Sequence, residues 1–250
     1  MFRTRRAAGI LVLTLGVFLG RPGAGRAEPP GPRGVVFVAG GISGLDPLQA
    51  WAPLELPWAG VPHEVRVFEW THGKGRLLRD LQDTPHLLGR ARQLAGLVLE
   101  VRAWEPDRPV YLVGHSAGAG LVLAAAEQLP PASLERVILL SAAVSPGFDL
   151  RPALRATRRE VVSFNSALDR FFLDWGTRQF GTVDRVYGPS AGLDGFQTPA
   201  GLDGEGRRLY ERLVQVPWKF EMLRDGRGGL HHSTTMPVFL ACQLAPWLKP

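Results

Sequence analysis

Positions 110–120 read VYLVGHSAGAG, an apolar run that stops at a serine with glycines two residues to either side. The next segment, AGAGLVLAAAEQL (117–129), is rich in alanine and leucine and is closed by Pro130-Pro131, so it reads as a helix. A strand that turns directly into a helix commits the chain to layered α/β packing. Other segments repeat the theme. VVFVAGGISG (35–44), EVRVFEW (64–70), RVILLSAAV (136–144) and EVVSFNS (160–166) are β-branched runs of strand length, as is PVYLVG (109–114) itself. Between Gly75 and Trp104, Leu77, Leu81, Leu87, Ala91, Leu94 and Val98 fall at helical spacing, and Pro85 starts or kinks the main helix. PVFLACQLAPWL (237–248) is a further helix candidate, whereas 175–215 is rich in Gly and Asp and gives no assignment. Strands alternating with helices predict an α/β domain with a mostly parallel sheet, flanked by helices on both faces.

A bare G-x-S-x-G pattern is weak evidence of function. The strand before it and the helix after it supply what the chemistry needs. The turn strains the backbone at Ser116, and side chains at 114 or 118 would collide with the neighbouring strand and helix. The helix start aims N–H groups at any anion formed there. A serine hydroxyl is a poor nucleophile at neutral pH, so it needs a base, and the base needs an orienting acid. After His115 the only histidines are His231 and His232, in RGGLHHSTTMPVF, ahead of the last helix candidate.

On these residues the chain resembles the α/β-hydrolase family. GHSAG is the most specific motif, and the rest of 34–250 matches by order and placement. The resemblance implies Ser116 as nucleophile and, in EVVSFNSALDRFF, Asp169 as acid, with Asp174, Asp149 and Asp184 as substitutes. It implies a base from the late loop. His231 is favoured because it leaves Ser233–Thr235 to cap a helix from Met236-Pro237, and His232 is the alternate. Oxyanion donors would be the N–H of Ala117 and one from AGGISG, Gly41 or Ile42, with Gly41 the choice. The first strand would match the third of the full family sheet, so the leading β-hairpin is expected to be missing. The implied activity is that of a carboxylesterase or lipase-like serine hydrolase, working through an acyl-enzyme on a small-molecule or lipid ester. No metal and no cofactor are implied. Acyl transfer or amide hydrolysis at the same site, and an inactive scaffold that only binds, are the alternatives. His115 is expected to pack rather than react. His72 either lines the pocket or is a plain loop residue, and Phe171, Phe172, Trp175, Phe180, Phe196 and Trp218 contribute pocket or lid surface or are ordinary core.

The N-terminus carries a basic stretch, an apolar run from Ile10 to Gly20, and a polar, turn-rich segment with Gly25 and Ala27 at −3 and −1 of a cut. That is the layout of a secretory signal peptide, and the run is too short to span a bilayer comfortably. The expected organisation is a cleaved signal at 1–27, a linker at 28–33 and one domain at 34–250. The protein would then be exported, periplasmic or secreted, with no stable membrane span. Cleavage removes five arginines and no acid, so 29 basic residues fall to 24 against 23 acidic. A charge this balanced gives no support for a nucleic-acid partner. The single cysteine, Cys242, excludes an internal disulfide, and its apolar surroundings predict a buried thiol.

Overall fold

A computed structural model describes residues 33–249. The expected signal peptide at 1–27 and nearly all of the linker lie outside the described residues. The strands are β1 (Gly34–Ala39), β2 (His63–Val67), β3 (Val110–His115), β4 (Arg136–Leu140), β5 (Val161–Asn165) and β6 (Leu213–Pro217). They form one sheet in the order β2-β1-β3-β4-β5-β6, and every pairing is parallel. No antiparallel hairpin joins the sheet among the described residues, in keeping with the expected absence of a leading one.

The sequence of each strand follows from its place. β1, β3, β4 and β5 are buried at every position, which is why they are near-continuous Val, Ile and Leu runs. The edge strands β2 and β6 are mostly half-buried and carry polar residues. Side chains alternate between two cores. Val36, Val38, Tyr111, Val113 and Phe164 pack under α1 (Pro47–Trp58) and the C-terminal helical run Pro237–Leu248. On the other face the short α2 (Leu77–Gln82) precedes α3 (Thr84–Trp104). Val35, Phe37, Leu112, Val137 and Leu139 pack there under α3, α4 (Ala117–Ala126) and α5 (Arg151–Ala156).

Several boundaries differ from expectation. The helical stretch from Gly75 divides at Asp83, whose carboxylate accepts the His86 N–H (2.9 Å) and starts α3, with Pro85 in its first turn. β2 ends at Val67, with the Phe68 N–H making a last bond to Val38 O of β1 (2.8 Å), and Glu69 and Trp70 then leave the sheet so that the buried Trp70 indole donates to the Gly40 carbonyl (2.8 Å). Helix α1 and strand β6 have no counterpart among the segments expected from sequence. Cys242 is exposed, because the C-terminal run buries Phe239, Leu240, Leu244, Ala245 and Leu248 and leaves position 242 off that stripe.

Strand order places the chemistry. From β1 the chain moves outward to β2, then returns across to β3, so connections diverge from the carboxyl ends of β1 and β3. Such a switch point leaves a crevice where parallel sheets bind ligands. Gly40–Ile42 leave β1 there, and Ser116 leaves β3 beside them.

Candidate active site

Ser116 sits between β3 and α4 with φ 54° and ψ −121°, a left-handed backbone that a non-glycine residue adopts only when its surroundings force it. Here they do. Its N–H donates to Leu140 O (2.9 Å), and its carbonyl accepts from the Ala119 and Ala143 N–H groups (3.1 Å each). The flanking glycines are required by close approach. A Cβ on Gly114 would lie 2.5 Å from Gly118 O, and one on Gly118 would run into both Ala39 O and Gly40 O.

The residues expected as base and acid come from loops beyond β5 and β6. His231 Nδ1 and Asp169 Oδ2 are 2.6 Å apart, and both side chains are buried. The Phe172 ring stacks on His231 at 4.5 Å between centroids. The two loops are stitched together from behind. Arg227, fully buried, donates to Asn165 O (2.7 Å) and Val216 O (3.0 Å). Ser166 Oγ donates to Gly229 O (2.6 Å), and the Trp218 indole to Arg227 O (2.7 Å). Burial is the largest influence on His231, and with the neighbouring His115 and His232 it pushes the imidazole down to about 4 against the opposing pull of Asp169. His231 Nε2 makes no hydrogen bond among the described residues.

Of the two adjacent histidines, His231 holds the acid. His232 is exposed and lies toward His115, at 5.5 Å between ring centroids. The substitute acids are engaged elsewhere: Asp149 with Arg151, Asp174 with Arg178, and Asp184 with Ser145 and Thr182. His72 does not line the cavities at Ser116. It is held by Asp80 (2.8 Å) and Asp83 (3.1 Å).

The expected donor Gly41 is a correction. Its N–H already donates to Asp46 Oδ2 at 2.6 Å, so it is not free to meet a ligand. The N–H groups of Ile42 and Ala117 donate to nothing among the described residues, and both residues border the cavity at Ser116. Asp46 was missed as a site residue, although Asp46-Pro47 carries a helix-start signal straight after the glycine loop.

Two cavities meet at Ser116. One, of about 230 Å³, runs past Ala117 between Leu81, Phe172, Trp175, Phe180 and Val183, and is strongly apolar. The other, of about 310 Å³, is bounded by Gly41, Ser43, Asp46, His231 and His232. The one grouping with metal-ligand spacing among the described residues is Asp46, His115 and His232, with ligand atoms within 4.8 Å of one another. Asp46 and His115 are already bonded to each other and to backbone, so a cation there would have to break those contacts.

No protein-family model and no curated protein matches the sequence. Solved structures do. TT1662 from Thermus thermophilus is 14% identical over 89% of this chain and 92% of its own, with a TM-score of 0.51. A lipase-esterase related protein from Clostridium acetobutylicum ATCC 824 is 13% identical over 86% and 92%, at 0.47. A putative hydrolase of the alpha/beta superfamily from Xanthomonas campestris pv. campestris is 18% identical over 86% and 97%, at 0.46. With a six-stranded parallel sheet, helices on both faces and a strained serine at its switch point, this chain has the α/β-hydrolase fold.

Proposed function

We propose that the protein is a serine hydrolase that cleaves carboxylic esters through an acyl-enzyme. The observation that carries this reading is that His231, paired with the buried Asp169, borders the same cavity as Ser116 in its strained turn. Ser116 Oγ attacks the ester carbonyl while His231 Nε2 takes its proton. The oxygen that becomes negative is met by the N–H groups of Ala117 and Ile42 at the start of α4 and the end of the β1 loop. His231 then returns the proton to the leaving alcohol, and water repeats the sequence to release the acid. Asp169 fixes the tautomer that leaves Nε2 free to accept.

The two cavities divide the substrate. A general acid must reach the leaving oxygen, and His231 borders only the larger, more polar cavity, so the alcohol lies there. The acyl group then occupies the apolar cavity. An apolar cavity of about 150 Å³ holds one benzene, so the 230 Å³ present here suits an uncharged acyl group of roughly six to nine carbons. A chain-length series of p-nitrophenyl esters, with fluorophosphonate labelling of Ser116, tests both parts. Labelling and turnover that vanish in Ser116→Ala support the mechanism, and an optimum between hexanoate and octanoate supports the division. Wild-type protein that is folded but neither labelled nor active overturns the reading, while activity that peaks at acetate or palmitate overturns the acyl assignment alone.

A further inference from the structure

A second buried Asp–His pair stands behind the site, and the proposed ester chemistry does not use it. Asp46 opens α1, where its Oδ1 accepts the Leu48 N–H (2.9 Å) in an ordinary capping role. Its other oxygen does something else. Oδ2 accepts the Gly41 N–H (2.6 Å) and lies 2.5 Å from His115 Nδ1. His115 is wholly buried and immediately precedes Ser116, and its Nε2 lies 3.1 Å from the His231 carbonyl oxygen.

The protons can be assigned from these partners. A carbonyl oxygen only accepts, so His115 Nε2 carries a hydrogen. Oδ2 of Asp46 sits against Nδ1 at a distance that requires a proton between them. The Gly41 and Leu48 N–H groups that donate to Asp46 favour its carboxylate form and so place that proton on Nδ1, which makes His115 an imidazolium facing a carboxylate. Burial opposes charge on each group, yet each outweighs it for the other: Asp46 holds His115 above the usual imidazole range, and His115 holds Asp46 well below the usual carboxylate range. The other titratable groups around the ring are Asp169, His231 and His232; burial holds His231 neutral, and partial desolvation with the charge of His115 draws the more exposed His232 down as well. His115 borders neither cavity, so it cannot touch a substrate and is not a second base.

What it does touch are the two moving parts of the chemistry. Through Asp46 and Gly41 it reaches the loop whose next N–H is that of Ile42. Through Nε2 it holds the backbone of His231 itself, with a shorter contact than those from Ser141 Oγ (3.5 Å) and Thr234 Oγ1 (3.3 Å). We propose that the Asp46–His115 pair is a positioning device, a single charged link that fixes the oxyanion loop and the base loop relative to the nucleophile beside it. The inference rests on the ester-cleavage reading for its kinetic consequences, but the charge state of the pair does not.

Two measurements test it. In nitrogen-15 imidazole spectra of the wild-type protein at pH 7, His115 shows both ring nitrogens protonated, whereas His231 shows one. A neutral, singly protonated His115 overturns the proposal without reference to activity. In kinetics, His115→Gln and His115→Phe lower kcat on p-nitrophenyl hexanoate at least tenfold with KM within twofold. Loss of the positive charge beside His231 also moves the acid limb of the pH profile upward, a shift that a purely structural role would not produce. Gln, which can keep one of the two contacts, loses less than Phe. Should either variant fail to fold, Asp46→Ala is judged by the same criterion. Folded variants with wild-type kcat and an unmoved acid limb sink the proposal, while a wild-type protein with no turnover and no Ser116 labelling sinks the ester reading instead.

Discussion

At Ser116 the demands of folding and chemistry oppose each other, and the opposition is measurable. A non-glycine residue at φ 54° carries about 1–3 kcal/mol of backbone strain. Ser116→Gly is therefore expected to abolish ester turnover while raising stability by about 1 kcal/mol in urea titration. A loss of both would show that the turn is not strained. His231 gives the second prediction at this scale. In the proposed mechanism the neutral imidazole is the base, and burial brings it down to about 4. kcat/KM should then stay level as pH falls through 6.5 and decline only near 4; an acid limb at 6 to 7 would contradict the buried base. The same group works against the fold in acid. Between pH 6.5 and about 4 the unfolded chain binds a proton that folded His231 refuses, so stability declines with falling pH across that window. The turn at Ser116 and the pairing of His231 with Asp169 were legible because each is fixed by chain order around a strand. The donor was not, because Gly41 and Ile42 are equivalent on paper. Only the Asp46 carboxylate, folded back from α1, consumes one N–H and leaves the other.

Among the elements, the loops after β5 and β6 are tied by several hydrogen bonds, of which those of Arg227 are the most deeply buried. Arg227 has no carboxylate partner among the described residues and spends its donors on Asn165 O and Val216 O, lying over the Phe164 ring at 5.2 Å. Arg227→Met removes two hydrogen bonds from a charged donor, at about 1–2 kcal/mol each, and leaves Asn165 O with the Trp218 N–H alone. The expected result is a fall of about 2–4 kcal/mol in unfolding free energy, with turnover reduced in the protein that remains folded. A change under about 1 kcal/mol would make the arginine incidental. Gly118→Ala tests the crossing of α4 over β1, where the new methyl would meet two backbone oxygens. It should cost about 2–3 kcal/mol, read as a lower Tm, and wild-type stability would show that the crossing is looser than its geometry implies. The interior strands were legible because burial on both faces leaves no room for polar residues. Helix α1 was not, because Pro53 and Pro57 argue against a helix although Leu48, Ala52 and Leu56 form its buried stripe. β6, an edge strand reading LVQVP, lacks the apolar run that marks the interior ones.

For the molecule as a whole, the parallel sheet and its two helical layers followed from the alternation of segments, and the fold bears that out. Export is a proposal that the N-terminal sequence supports. Intact-mass measurement of protein recovered from the medium or periplasm should give a chain beginning at Glu28, and a chain retaining residues 1–27 would refute cleavage there. Among the described residues no helix is long and apolar enough to cross a membrane. The crossing from β2 back to β3 also has a consequence in time. The β1–β3 pairing that brings Gly41 beside Ser116 cannot form until residues 110–115 have emerged, and His231 follows more than a hundred residues later. A chain delivered from its N-terminus thus carries Ser116 without its proposed base until residue 231 has arrived. The proposed chemistry switches on only with completion of the fold, so activity during secretion would count finished molecules rather than chains in transit.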